Sequence, residues 1–95
     1  TTVISLSSTI TAYTIKPTED TTLSFSTNNL DIPQSALITF FLIVDFSDGV
    51  YNITWPNTTV WGNITPTMTA NAKYMFSFTK PYNENVWVAN QMYSW

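Results

Sequence analysis

The sequence contains no cysteine and no histidine, and its only basic residues are Lys16, Lys73 and Lys80. Without cysteine the chain cannot form a disulfide, and without either residue type it lacks the usual zinc ligands. A serine nucleophile would also lack its usual histidine base. We therefore expect no metal and no cofactor, and a stability that comes from packing alone.

Positive charge is scarce, because the three basic residues stand against six acidic ones and the net charge is −3. Proteins that bind nucleic acid neutralise phosphates with lysine and arginine, so nucleic acid is not an expected partner. The most apolar run, from Ala36 to Val44, is interrupted by Thr39 and is far shorter than the ~20 residues of a membrane-spanning helix. Membrane insertion is not expected either.

The acidic residues do not suggest catalysis. Most of them fall in predicted turns, where carboxylates ordinarily face solvent or cap the turn. Asp45 and Asp48 stand close to Gly49, as in a calcium loop, but the remaining ligand positions of such a loop are absent. A chain of 95 residues also has little room for the cleft that an acid-pair mechanism needs. We expect the protein not to be an enzyme.

Apolar and aromatic residues are abundant, at 44% and 16% of the chain, while only 9% of the residues are charged. This composition excludes a disordered chain, and the length fits one domain over residues 1–95. Threonine, serine, valine, isoleucine and the aromatic residues predominate, and β-branched and aromatic side chains favour strands. The predicted fold class is therefore all-β.

Alternation and turn residues predict about seven short strands. The predicted strands are Thr2–Ser7, Thr9–Lys16, Thr21–Ser26, Ala36–Phe46, Val50–Thr54, Ala72–Thr79 and Val86–Trp95. Strands of this number and spacing favour an antiparallel β-sandwich or a jelly-roll-like barrel.

Three segments carry more specific expectations. Residues 36–46 are apolar at almost every position, so this strand should have both faces covered, one by a second sheet and the other by a loop or a subunit. Asp48-Gly49 predicts a tight hairpin turn, after which Val50–Thr54 would return antiparallel. Residues 55–71 are expected to form a loop that packs onto the sheet through large apolar side chains.

An ordered set of short motifs runs through the second half of the chain. After the Asp-Gly turn come Thr54-Trp55-Pro56, then Val60-Trp61-Gly62-Asn63-Ile64-Thr65-Pro66-Thr67-Met68-Thr69, then Tyr74-Met75-Phe76-Ser77-Phe78, and finally Val86-Trp87. This order resembles a small β module of bacteriophage tail fibres and other tail-associated virion proteins. The first half is similar in character, so the resemblance covers nearly the whole chain. Two departures are Met68, where leucine is usual, and Asn83-Glu84-Asn85, where a glycine-rich turn is common.

The resemblance implies a structural or adhesive role in a virion, an extracellular particle. Fibres of this kind are typically homotrimers, so the implied partners are copies of the same chain or other virion proteins. Host attachment through a surface glycan is a further implication. The expected function is fibre assembly, and the alternative is a carbohydrate-binding domain that uses exposed tryptophans.

The four tryptophans could offer flat faces to a sugar ring, with asparagine amides bonding its hydroxyls. Packing in the core is the favoured interpretation for Trp55 and Trp61, whereas greater exposure is expected at the last hairpin. Trp95 is either a terminal anchor or a residue buried against a neighbouring subunit. The candidate ligand-binding residues are Trp87, Tyr82, Asn83, Asn85 and Trp61.

Three Asn-x-Thr sequences begin at Asn52, Asn57 and Asn63 and match the acceptor pattern for N-glycosylation. In a chain this rich in asparagine and threonine, coincidence is the default interpretation. They matter only if the chain is made by a eukaryotic cell, and the glycosylated surface would then face solvent.

Overall fold

The computed structural model describes residues 2–28, 30–33, 35–63 and 66–95. These residues form eight strands and no helix, so the predicted all-β class is confirmed. The strands are β1 (Thr2–Ser5), β2 (Ala12–Ile15), β3 (Thr21–Ser26), β4 (Leu37–Asp45), β5 (Ile53–Thr54), β6 (Thr59–Trp61), β7 (Lys73–Pro81) and β8 (Trp87–Ser94).

Within the described ranges the strands make two sheets, one of three strands in the order β1-β3-β5 and one of five in the order β2-β4-β7-β8-β6. Only the pairs β4–β7 and β7–β8 are antiparallel. The other four pairs are parallel, so the antiparallel arrangement predicted from the sequence is wrong for them. The reason is the path of the chain. The first six strands alternate between the two sheets, and a strand that returns to a sheet after one excursion runs in its original direction.

The Asp48-Gly49 segment turns the chain, but it does not form the predicted hairpin. Gly49 has a φ of 133° and donates its amide to the carbonyl of Phe46 at 3.1 Å, so a turn is present. The chain then passes to the other sheet, where Ile53–Thr54 pairs in parallel with β3. The predicted antiparallel return of residues 50–54 is therefore wrong.

The segment predicted to be a loop, residues 55–71, contains the short strand β6, which pairs in parallel with β8. The side chain of Trp61 packs on the sheet as expected, with its ring centroid 5.8 Å from that of Phe76. Ile64 and Thr65, which belong to this segment and to the third Asn-x-Thr sequence, lie outside the described residues.

The core lies where the two sheets face each other. Strands β4 and β7 alternate strictly, and each places every second side chain in the core. The largest fully buried side chains are Phe40, Phe46, Phe76 and Phe78. The alternation predicted for β7 is confirmed, since the side chains of Tyr74, Phe76 and Phe78 share the buried face.

The second face of β4 is open in the single chain. Leu37 is 66% exposed, and Phe41 and Ile43 are half-buried, whereas the alternate residues are buried. We expected both faces of this strand to be covered. Among the residues the structure describes, one face is covered and the other is not. The cover that a subunit would give to the other side stays a prediction.

Candidate functional site

Trp87 lies in the core and not on the surface. It is 5% exposed, and its ring makes edge contacts with Phe25 and Phe40, both at a centroid distance of 5.4 Å. The expectation that Trp87 is exposed at the last hairpin is wrong. In the register of β8, Ala89 lies opposite the buried Phe78, and Trp87, two residues earlier, therefore points to the same buried side. A ring in this position has no free face for a sugar.

The last hairpin is held by a buried lysine. Lys80 is 7% exposed, and its Nζ donates to the carbonyls of Pro81 at 3.2 Å, Tyr82 at 3.1 Å and Glu84 at 2.7 Å. The same Nζ lies 5.6 Å from the ring centroid of Trp87, within the range of a cation–π interaction. Each of the three protons of the ammonium group can thus make a hydrogen bond. These bonds hold the backbone of residues 81–84 around the lysine.

The five candidate residues do not form one site. Tyr82 and Trp87 both lie near Lys80, and the ring centroid of Tyr82 is 6.0 Å from its Nζ. Asn83 and Asn85 are exposed in the loop. Trp61 belongs to a different aromatic group, in which it contacts Trp55 at a centroid distance of 5.3 Å. The geometry therefore offers no sugar platform built from these residues together.

Beside Trp61, the chain approaches strand β8 very closely. A Cβ on Gly62 would lie 2.6 Å from Oδ1 of Asn90, so only glycine fits here without a shift of that side chain. The Gly62 amide donates to the carbonyl of Ala89 at 2.8 Å, and the Asn63 amide group exchanges hydrogen bonds with the backbone of Gln91. This segment therefore continues the β6–β8 pairing, first by a backbone hydrogen bond at Gly62 and then by the side chain of Asn63.

A shallow groove with a volume of about 380 Å³ lies beside strand β5. Its walls include the aromatic side chains of Tyr51 and Trp55 and the polar side chain of Asn52. The ring of Trp55 is itself part of the aromatic core, with centroids 5.1 Å from Phe76 and 5.3 Å from Trp61. The groove is thus one side of a packed cluster.

The largest feature of the surface is the side of the five-stranded sheet that points away from the three-stranded sheet. We call this side the open face. Cross-strand registers place its side chains in rows. One row contains Thr14, Ile43, Met75 and Tyr93, and another contains Thr39, Thr79, Val88 and Val60. Val60, Val88 and Tyr93 are 54%, 41% and 61% exposed. The row between these two contains Phe41, Ser77 and Asn90, so the centre of the open face carries apolar side chains together with small hydroxyl groups and one amide.

Charge on the open face is confined to one end. Asp45 and Lys73 lie directly opposite each other on β4 and β7 at this end, and Lys16, two residues after Thr14, is close enough to act on Asp45. The Ser47 amide, which donates to Asp45 Oδ1 at 2.9 Å, holds the pKa of the Asp45 carboxyl below its ordinary value, and Lys73 and Lys16 lower it further. Trp95 lies beside this end of the sheet, because its backbone exchanges two hydrogen bonds with the backbone of Lys73, at 2.8 and 3.0 Å.

The remaining charges do not gather. Lys16 and Asp48 form an ion pair at 3.6 Å, but both side chains are more than half exposed, so solvent screens the pair. The described part of the chain holds no group of three or more acidic residues, histidines or cysteines placed to share a metal ion. It also holds no helix of the length and apolarity needed to cross a membrane.

Comparison of the chain with protein-family models, with curated proteins and with solved structures gave no significant match. Two features were missed from the sequence. The burial of Lys80 could not be predicted, because a lysine in an alternating strand ordinarily points to solvent. The open face was indicated in part, because residues 36–46 are apolar at almost every position and not only at alternate ones.

Proposed function

We propose that this chain is a non-enzymatic structural module of a phage tail fibre or a similar virion protein, which self-associates as a homotrimer through its open face. In this proposal the two facing sheets form a β-sandwich that serves as the scaffold. The observation that carries the proposal is the composition of the open face, which among the described residues has only apolar and uncharged polar side chains through its centre and is charged at the Asp45 and Lys73 end. Surfaces depleted of charge and rich in exposed apolar side chains mark interaction sites.

The size of the open face fits such a role. Strands β4 and β7 have nine residues each and β8 has eight, flanked by the shorter β2 and β6. With ~3.3 Å per residue along a strand and ~4.8 Å between strands, the open face covers roughly 550 Å². Stable interfaces bury upward of about 600 Å² on each partner, so the two values are close. Contacts made by loops at the rim would add to the buried area.

The assignment to a virion fibre depends on the ordered motifs and not on the fold. The tryptophan-rich segments around Trp55, Trp61 and Trp87 supply the core between the sheets. A chain without disulfides then gains its cohesion from these rings and from assembly. Other virion proteins are the further partners in this proposal, and host attachment is a further role.

The decisive experiment measures the mass of the protein in solution by analytical ultracentrifugation over the micromolar range. We expect an oligomer for the natural sequence. Val88→Lys, on the open face, should give folded monomers, because it places a charge in the centre of the interface. Val3→Lys is the matched control, since Val3 is an exposed strand valine on the other sheet, and it should leave the oligomer intact. A natural chain that stays monomeric, or equal effects of the two substitutions, would overturn the proposal.

A second candidate function, carbohydrate binding, is favoured by one observation at the end of β8. Trp95 is 50% exposed, and its ring lies 5.6 Å from that of Tyr93, with an interplanar angle of 31°. Two neighbouring aromatic faces of this kind suit the apolar side of a sugar ring. A glycan array with the natural chain and with Trp95→Ala tests this candidate. Binding that is lost with Trp95→Ala supports it, and the absence of any signal, or a signal unchanged by the substitution, removes it.

A further inference from the structure

Strand β4 begins before the strand that lies beside it. It has nine residues, but β2 pairs only with its second half, from Phe41 to Val44. Beside the first half, residues 37–40, no strand of the described part of the chain pairs on this side of β4. The five-stranded sheet therefore has a gap in line with β2, and we call this gap the β4 notch.

The residues that would extend β2 into the β4 notch are folded away from it. The Ile10 amide donates to the carbonyl of Ser7 at 3.4 Å, which closes a turn over residues 7–10. Tyr13 fixes this turn, because its hydroxyl donates to the carbonyl of Ile10 at 3.3 Å and accepts from the Ser7 amide at 2.9 Å. The ring of Tyr13 is held in turn by an edge contact with Phe40, at a centroid distance of 5.8 Å. The turn thus keeps the notch open.

The edge of β4 in the notch offers backbone hydrogen bonds. The Phe41 amide donates to the carbonyl of Thr11 at 2.7 Å, so every second residue of β4 points its peptide groups to the β2 side. By this alternation the N–H and C=O groups of Leu37 and Thr39 point into the notch, where the described residues give them no backbone partner. A row of such groups is a template on which another extended chain can add as a strand.

The lining of the notch determines which side chains it admits. Residues 37–40 line a cavity of about 130 Å³ together with apolar side chains that include Leu6 and Ile32. An apolar cavity of roughly 150 Å³ holds one benzene-sized molecule, so the notch has room for one apolar side chain. The hydroxyl groups of Ser8 and Thr11 also line it, and no lining residue is charged. A charged side chain would lose its hydration there without meeting an opposite charge.

We propose that the β4 notch is a docking site for an extended, uncharged peptide segment of a partner protein. The segment adds as a short strand beside residues 37–40 and inserts one apolar side chain between the sheets. It continues the ladder that β2 begins, so its backbone bonds the outward groups of Leu37 and Thr39. Main-chain bonds supply the affinity in this mode of recognition, and the cavity selects the side chain. The site lies at the edge of the sheet and not on its open face, so it is independent of the proposed homotrimer.

Amide hydrogen exchange followed by NMR tests the free edge in the natural chain. We expect the amides of Leu37 and Thr39 to exchange at least about 100-fold faster than those of Ile38 and Phe40, which point to β7. Equal protection of the four amides would overturn the proposal, because the edge would then already be covered.

The binding experiment selects short random peptides displayed on yeast with the natural chain, and then uses the enriched sequences as synthetic peptides. We expect them to carry an apolar residue flanked by uncharged ones and to slow exchange at Leu37 and Thr39 by about tenfold or more. Thr39→Pro removes one outward N–H, a change that a strand edge tolerates, and should weaken binding by about tenfold. Ala12→Pro is the matched control and should keep the binding, because the Ala12 amide also points outward but lies on β2, beyond the notch.

Peptides that bind both variants equally, or that leave exchange at Leu37 and Thr39 unchanged, would place the contact elsewhere and overturn the proposal. A selection that enriches no peptide would overturn it as well. If circular dichroism shows that Thr39→Pro does not fold, protection of the two amides in the natural chain decides the question without a variant. The proposed assembly is measured separately by ultracentrifugation, so either proposal can fail alone.

Discussion

The ring of Phe25 stands edge-on to the ring of Phe40, with centroids 4.9 Å apart and planes at 80°. Phe25 belongs to the three-stranded sheet and Phe40 to the five-stranded sheet, so this contact joins the two layers. Phe25 also meets Phe78 at 4.9 Å and Trp87 at 5.4 Å. One side chain of the smaller sheet thus contacts three rings of the larger one.

Removing the Phe25 ring should weaken the packing between the two sheets. We expect Phe25→Ala to lower the free energy of unfolding by about 3 kcal/mol, from lost burial and from edge-on ring contacts. Chemical denaturation followed by tryptophan fluorescence measures this change. Ile10→Ala is the control, because Ile10 is 51% exposed and its loss should cost less than about 0.5 kcal/mol. Equal losses for the two variants would show that Phe25 does not join the layers.

A second prediction concerns the buried ammonium group of Lys80, which bonds three loop carbonyls. Lys80→Met keeps most of the apolar stem but leaves those carbonyls without their donor. We expect a loss of about 1–3 kcal/mol in unfolding free energy and faster amide hydrogen exchange in residues 82–86. Lys73→Met, an exposed lysine on the same strand, serves as control. Exchange rates in the loop that match the natural chain would contradict the role given to Lys80.

The sequence predicted those parts of the fold that short-range pattern controls. Strand β7 is an example, because alternating aromatic residues place Phe76 and Phe78 on one face whatever the partner strand is. Strand β6 shows the limit. Its three residues follow Pro56 and Asn57, which favour a turn, and they become a strand only by pairing with β8 far along the chain.

The candidate site was predicted less well than the fold, for a related reason. Nearness to a turn suggested that Trp87 is exposed, but its orientation is set by the register between β7 and β8. A shift of one residue in that register would turn the ring to the other face. Register depends on packing between strands and cannot be read from the local sequence. The apolar run of residues 36–46 indicated that β4 has a second apolar face, but the sequence does not say what covers that face.

A third prediction follows from a buried hydroxyl in strand β6. Thr59 Oγ1 is buried and has no hydrogen-bond partner among the described residues. Thr59→Val replaces the hydroxyl with a methyl group of similar size, so we expect the unfolding free energy to rise by up to about 1 kcal/mol.

Thr54→Val is the control for this substitution. Thr54 is an exposed strand threonine, and it also ends an Asn-x-Thr sequence, so both variants remove one such sequence. Its stability should stay within about 0.5 kcal/mol of the natural chain. Thermal unfolding of the three proteins side by side measures the difference. A destabilised Thr59→Val would mean that the hydroxyl has a partner that stabilises the fold.

The last prediction concerns pH and the carboxyl group of Asp45. The Ser47 amide is the main cause that lowers its pKa below the ordinary value of 3.8, and Lys73 and Lys16 contribute less. Because the pKa is lower in the folded state, the carboxylate stabilises the fold at pH values above 3.8. This contribution is lost as the pH falls through the depressed pKa. Asp45→Asn should therefore be less stable than the natural chain at neutral pH, and the gap should close in acid.

Titration of the Asp45 carboxyl carbon by NMR measures the pKa directly. Lys73→Met is the informative variant, because Lys73 is a minor cause and its removal should raise the pKa only slightly. If Lys73→Met returned the pKa to its ordinary value, the charge of Lys73 and not the Ser47 amide would control Asp45.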